Sequence, residues 1–224
     1  MGKSTFRLAG IFGGTFDPIH YGHLRVAEEI VEMISLQEMR FIPAGRPRLR
    51  DAPVAPTCHR EAMVRIAIES NPGFILDERE TRSSGISYSI KTLRELKREL
   101  GSDAILCLIV GADAFTRFAE WHEWREIFGL CHLIIVRRPG QMANINRNNL
   151  PSDLREACAQ RWIASPNDLK KAHSGLIFPA PTTLLDISAT AIRARIFAGK
   201  SVRYLLPDAT LDYIAAHHLY LDKV

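Results

Sequence analysis

GGTFDPIHYGH, from Gly13 to His23, sets two glycines, a hydroxyl, an Asp-Pro pair and two histidines three apart within one short stretch. Gly13 and Gly14 permit close approach of the backbone to a ligand. Thr15 offers a hydroxyl, Phe16 follows it, and Asp17-Pro18 reads as a turn. His20 and His23 then stand at the mouth of a helix. Backbone N–H groups and the helix dipole make such an end attractive to phosphate. Imidazoles can donate hydrogen bonds to phosphoryl oxygens. Two histidines on one helical turn can also share a metal, which needs a third or fourth ligand, and no HExxH or cysteine partner follows. A pair of capping or core histidines is the third reading, and this stretch alone leaves all three open.

A second stretch has related chemistry. In DISATAIRARI, Asp186 to Ile196, Ser188 is a helix N-cap candidate, Thr190 adds a hydroxyl and Arg193 lies in the first turns. Alone it is an ordinary capped helix. Two such helix ends after two strands can grip a polyphosphate from both sides.

The elements that must hold these stretches are short apolar runs alternating with helical patterns. RLAGIF (7–12), RFIPA (40–44), AILCLIV (104–110), HLIIVR (132–137) and GLIFPA (175–180) read as strands, with FILDERE from Phe74 a weaker sixth. Near-continuous apolar runs suit parallel strands covered on both faces. Helical spacing follows Gly22 and recurs at 59–69, 88–100, 121–128, 153–163, 189–198 and 210–217. The alternation predicts an α/β fold: a Rossmann-like, doubly wound, mostly parallel sheet with helices on both faces and a small C-terminal helical extension. A single domain over residues 1–224 is expected, its C-terminal helical part starting at about residue 188. Ligands in such sheets bind beyond the carboxyl ends of strands. Gly111 and Asp113 follow one strand, and Arg138 follows another. Residues 43–57 and 137–151 read as loops, suited either to closing on a ligand or to plain surface connection.

Composition excludes several classes. The chain has 224 residues, 46% hydrophobic and 24% charged, with a formal net charge of +4, which fits a soluble globular protein and is compatible with anionic ligands. Cys58, Cys107, Cys131 and Cys158 form no CxxC pair, so neither a zinc framework nor a disulfide ladder is expected. No apolar stretch approaches membrane-spanning length and no signal peptide is evident, so a reduced, cytoplasmic location is expected. GKST at 2–5 lacks the upstream glycine and strand of a P-loop, and GIFGGTF does not match GxGxxG. The Arg-rich loop at 46–50 lacks interleaved aromatics, which argues against nucleic acid.

HYGH fits the H-x-G-H motif of the nucleotidylyltransferase superfamily, and ISATAIR resembles its ISSTxIR motif. The fuller GGTFDPIHYGH resembles bacterial nicotinate mononucleotide adenylyltransferases, as do GADAFTRFAEWHEWREI (111–127) and SYSIKTL (87–93). The resemblance runs from about Gly10 to the C-terminal helix. It implies transfer of AMP from ATP to nicotinate mononucleotide, giving deamido-NAD and pyrophosphate, with Mg²⁺ carried on ATP phosphates and no protein metal site. Catalytic roles fall on His20, His23 and Arg193. ATP contacts fall on Gly13, Gly14, Thr15, Phe16, Gly111, Asp113, Ser188 and Thr190 as well. The acceptor falls on Tyr88, Ser89, Trp121 and Arg138, with Trp121 stacking on the pyridine ring; the helical spacing of Trp121 and Trp124 by itself suits core packing, the reading kept for Trp124. The expected partners are small molecules alone, neither nucleic acid nor membrane, in a monomer or homodimer. An enzyme for nicotinamide mononucleotide or phosphopantetheine, or a nucleotide-binding regulator without turnover, is the alternative. Two positions depart from the family pattern: Lys91 stands where aspartate is usual, and Leu49 where histidine is.

Overall fold

The computed structural model describes residues 7–49, 52–137 and 147–222. Among them six strands form one sheet: β1 (Arg7–Gly14), β2 (Glu38–Pro43), β3 (Phe74–Leu76), β4 (Ala104–Gly111), β5 (Cys131–Val136) and β6 (Ile177–Pro179). Their order is β3-β2-β1-β4-β5-β6 and every pairing is parallel. The apolar runs in β4 and β5 bury almost every residue, as strands covered on both faces require.

Strand alternation divides the core in two. Leu8 on β1 and Ile105, Cys107 and Ile109 on β4 face one side. There they meet α1 (Tyr21–Ile34), α2 (Thr57–Ile68), α7 (Ala189–Phe197) and α8 (Asp208–Ala216), through Ile30, Met63, Ile192 and Ile214. Ala9, Ile11, Leu106, Leu108 and Val110 face the other side. Those pack on α3 (Ser89–Leu100), α5 (Trp124–Leu130) and α6 (Ser152–Cys158), with the short α4 (Ala112–Thr116) at the end of β4. The expected doubly wound architecture is therefore present. Cys107, Cys131 and Cys158 are buried and Cys58 is exposed. Burial pushes the Cys107 thiol up to about 12 and the Cys158 thiol up to about 11, so both serve as small apolar side chains.

Two helices are shorter than their periodicity predicts. The helical pattern at 153–163 stops at Cys158 because the next residues go into extended pairing: Ile177 N–H donates to Arg161 O at 2.8 Å, and Ile163 N–H to Ile177 O at 3.0 Å. The pattern at 121–128 is divided. Residues 118–120 form a 3-10 turn, Glu123 takes a left-handed conformation at φ 52°, and α5 begins only at Trp124.

The sheet register creates the crevice. β1 stays paired to β2 as far as Gly14 with Pro43, and β4 to β5 as far as Gly111 with Val136. The pairing of β1 with β4 ends earlier, at Ile11 with Leu108. The last three residues of each strand thus diverge at the point where strand order reverses, the usual ligand position in such sheets.

The β2–β3 edge is held to α3 by charge. Arg40 Nη1 donates to Asp77 Oδ2 at 3.1 Å and to Glu99 Oε1 at 2.9 Å, and Arg79 Nη2 donates to Asp77 Oδ2 at 2.6 Å. Burial pushes the Asp77 carboxyl up, but Arg79 and Arg40 outweigh it and hold it below its ordinary value. Its contribution is fully present above the unfolded-state value and is lost as pH falls through the lower folded one. Thermal midpoints measured between about pH 5 and pH 2 should therefore fall less steeply for Asp77→Asn than for the unaltered chain. Parallel slopes would remove Asp77 from the acid response.

Candidate active site

The β1–α1 connection runs directly into this crevice. His20 is the N-cap residue of α1, with extended dihedrals, and is buried. His23 lies one turn on. A spacing of three places both side chains on one helix face, and the rings stack with centroids 3.8 Å apart and planes at 28°. The His23 ring meets Phe12 and Phe16 edge-on at 6.0 and 5.1 Å. Gly22 fits between them for a steric reason: a Cβ there would stand 3.0 Å from His20 Cε1 and Nδ1, and 3.5 Å from the Ile187 carbonyl oxygen. Ile187 leads into α7, so the two predicted helix ends meet at this glycine.

At the start of α7 the Ser188 hydroxyl accepts from Ala191 N–H at 3.2 Å, the predicted cap. Ser188 and Thr190 are exposed. Arg193 reaches back across the site, and its Nη1 donates to the Asp17 carbonyl at 2.7 Å. Its Nη2 lies 3.5 Å from Thr190 Oγ1, and its Nε has no hydrogen-bond partner among the described residues. Gly13 is exposed, and a Cβ there would meet no protein atom within 4 Å. The Phe16 side chain is in the core at 2% exposure, so only its backbone is available to a ligand, unlike a side-chain contact.

The loop carrying these groups is built on Asp17, which is 3% exposed. Its carboxylate accepts from Val54 N–H at 2.7 Å, Ala55 N–H at 3.1 Å and the Tyr220 hydroxyl at 2.7 Å. Arg60, 1% exposed on α2, donates to the Thr15 carbonyl at 2.8 Å, the Ala55 carbonyl at 3.2 Å and Thr57 Oγ1 at 3.2 Å. Burial pushes Arg60 below its ordinary value, partly offset by the Asp17 charge. Burial and the Asp17 carboxylate push Tyr220 upward, so it stays a protonated donor. Removing one partner from a buried charged group costs on the order of 3–5 kcal/mol. Sequence reasoning missed Arg60 and Tyr220. Arg60 reads as a surface residue of an amphipathic helix, and Tyr220 lies past the last periodic segment.

On the β4 side, Gly111 ends the strand and Asp113 stands in the first turn of α4, half-buried. Tyr88 is the N-cap residue of α3 and Ser89 its first residue. The Tyr88 ring lies 4.4 Å from His122 with planes at 35°. Trp121 closes the 3-10 turn and packs on Phe118 at 5.0 Å, half-buried with an accessible portion. Trp124 is 7% exposed and belongs to the core, as expected. Ser87 pins the arginine-rich loop here, its Oγ accepting from Gly45 N–H at 3.1 Å and Arg46 N–H at 3.2 Å. Lys91 is exposed in the first turn of α3, and Leu49 is 37% exposed. Arg138 and Arg50 lie outside the described residues. Among the described residues no group of three or more His, Cys, Asp or Glu is arranged to hold a metal ion, and no helix is long and apolar enough to cross a membrane.

The arrangement brings two helix N-termini, a stacked histidine pair and an arginine together in a parallel-sheet crevice, with aromatic side chains beyond the neighbouring strand. Gly22→Ala should leave the melting temperature nearly unchanged but shift the imidazole NMR resonances of His20 and His23. Unmoved resonances would show that Gly22 does not set the ring positions.

Residues 11–195 match the cytidylyltransferase-like family model. A Dechloromonas aromatica protein named "Probable nicotinate-nucleotide adenylyltransferase" is 46% identical over 94% of this chain and 96% of its own length. A Marinobacter nauticus protein of the same name is 43% identical over 94% and 95%. The solved Plasmodium falciparum nicotinic acid mononucleotide adenylyltransferase complexed with NaAD covers 97% of this chain and 98% of its own, with a TM-score of 0.70 at 20% identity, which supports the fold.

Proposed function

The chain belongs to the cytidylyltransferase-like family, and on that premise we infer that it transfers the adenylyl group of ATP to nicotinate mononucleotide in NAD biosynthesis. The observation that carries the reading is the meeting of two helix N-termini at the β1–β4 divergence. The stacked His20–His23 pair stands on one, and Arg193, tied to the Asp17 carbonyl, stands on the other.

The mononucleotide phosphate attacks the α-phosphorus of ATP in line. The new phosphorus–oxygen bond forms as the bond to the β-phosphate bridging oxygen breaks, and pyrophosphate leaves with that electron pair. The attacking phosphate is an anion at neutral pH, so positioning and charge stabilisation supply most of the catalysis. His20 and His23 donate to ATP phosphate oxygens and stabilise the charge that develops on the leaving group. Arg193 grips the β and γ phosphates, aided by Thr190 and the exposed start of α7. Gly13 lets the nucleotide lie against the β1 backbone, with Thr15 and the Phe16 backbone beside it, whereas at Gly14 a Cβ would stand 3.0 Å from the Phe16 ring, so that glycine makes room for the ring and contributes backbone alone. Gly111 and Asp113 hold the ribose hydroxyls.

The donor set at the grip consists of imidazole, guanidinium, hydroxyl and backbone N–H groups, all suited to phosphate oxygens. ATP accordingly enters as its Mg²⁺ complex, with the cation on phosphate oxygens and water. The acceptor lies across the crevice. The Tyr88 and Ser89 backbone N–H groups at the start of α3 face its carboxylate, a position favoured by the helix dipole. Trp121 stacks on the pyridine ring.

Purified protein with MgATP and nicotinate mononucleotide should release pyrophosphate, and no release above background would refute the assignment. His20→Ala should lower turnover by about a hundredfold or more, with a much smaller loss of stability. Gly13→Ala should fold and melt like the unaltered chain, because no protein atom contests the added methyl, yet bind ATP more weakly. Unchanged ATP affinity would show that the nucleotide does not approach Gly13. Trp121→Ala should raise the KM for the mononucleotide, and an effect on the KM for ATP alone would contradict the stacking role.

A further inference from the structure

The C-terminal segment reaches the catalytic loop by an unusual backbone path. α8 docks through buried Thr210 and Ile214, and its Tyr213 hydroxyl lies 3.0 Å from His59 Nδ1 on α2. Beyond α8 the chain turns twice through left-handed conformations, at His218 (φ 51°) and Tyr220 (φ 65°). A bulky residue takes that conformation only where its surroundings impose it. The result puts the Tyr220 ring into the core at 6% exposure and its hydroxyl on Asp17 Oδ1 at 2.7 Å. The same Asp17 receives Arg193 on its backbone carbonyl and precedes His20 by three residues.

We propose that Tyr220 is a positioning residue for the transfer reaction: through the Asp17 carboxylate, its hydroxyl fixes where Arg193 and the α1 N-terminus stand relative to one another. The Val54 and Ala55 N–H groups reach the Asp17 carboxylate from the α2 side, and Tyr220 approaches from the C-terminal side. Without the hydroxyl, the carboxylate keeps the hydrogen-bond donors of the 54–55 segment and a longer ion pair, 3.9 Å from Oδ2, to Arg193 Nη1. The loop is then free to settle toward that segment, carrying the Asp17 carbonyl away from Arg193. Tyr220 touches neither reactant in this scheme. The proposal rests on the adenylyl transfer assigned to this site.

The full chain carrying Tyr220→Phe tests it, since phenylalanine keeps the ring and its packing and loses only the donor. Tyr213→Phe is the companion, because it removes the hydroxyl on the other tether of the same C-terminal segment, one directed to His59 rather than to the catalytic loop. Pyrophosphate release is followed with MgATP and nicotinate mononucleotide varied separately, alongside melting temperature and calorimetric MgATP binding. Tyr220→Phe should lower kcat by about tenfold to a hundredfold, the scale expected when a reacting group is displaced from a distance. Its KM for the mononucleotide, bound at the far side of the crevice, should stay within about twofold. Tyr213→Phe should keep kcat within about twofold of the unaltered chain even where its melting temperature falls. Unaltered kcat in Tyr220→Phe, or equal losses in the two variants, would overturn the proposal and leave Tyr220 a stabilising contact only. Absence of turnover in the unaltered chain would defeat the parent reading instead. MgATP binding then decides: weaker binding in Tyr220→Phe than in Tyr213→Phe supports the positioning role, and equal binding refutes it.

Discussion

Asp17 is a buried acid, and a carboxylate at 3% exposure survives folding only if its charge is met. Val54, Ala55 and Tyr220 meet it by donation, while Arg60 binds the Thr15 carbonyl of the same loop. These partners come from the β2–α2 connection, α2 and the C-terminal segment, so three separate parts of the chain hold the β1–α1 loop. Arg193 adds a fourth element by binding the Asp17 carbonyl. One desolvated carboxylate thus couples the positions of the N-termini of α1 and α7. A charge is a stringent tether because any displacement that unpairs it leaves it unsolvated.

The sheet supplies the space that this loop occupies. Parallel strands with helices on both faces must reverse their order somewhere, and here the reversal falls between β1 and β4. Each of these strands follows its outer neighbour to its last residue, and they part from each other three residues earlier. Gly13, Gly14 and Gly111 therefore have a ladder on their outer side and an opening on the side where β1 and β4 part. Glycine serves opposite purposes within this short region. At Gly22 it makes room for the His20 ring and the Ile187 carbonyl, whereas at Gly13 no protein group requires it.

The Trp121 side of the crevice depends on a turn rather than a helix. Left-handed Glu123 breaks the pattern between Trp121 and Trp124, so the two indoles separate. Trp124 closes the core beneath α5, and Trp121 stays half-buried beside Phe118. The same turn lays His122 against Tyr88 and so brings the aromatic wall to the start of α3. Equal spacing along the chain is consistent with both a continuous stripe and this division, and the backbone at one residue decides between them.

The alternation of apolar runs with helical periods was enough to establish the α/β class, both layers of helices and the approximate bounds of all six strands. Strand and helix periodicities are local, and a residue's neighbours in sequence carry them. The two stretches at the starts of α1 and α7 were legible for the same reason, since a glycine pair, an Asp-Pro turn and a Ser cap act within a few residues. Their assignment to one nucleotide and one acceptor came through family resemblance, because chemistry this general suits many phosphates. Tertiary structure alone decided that α6 stops at Cys158, where extended pairing to Ile177 competes with helix propagation. It alone placed Gly22 against Ile187, Arg193 on Asp17, and Arg60 and Tyr220 beneath the loop. Tyr220 and Asp17 are separated by 203 positions. No local pattern records such a pairing, because the burial that makes their hydrogen bond matter exists only after the chain has closed around it.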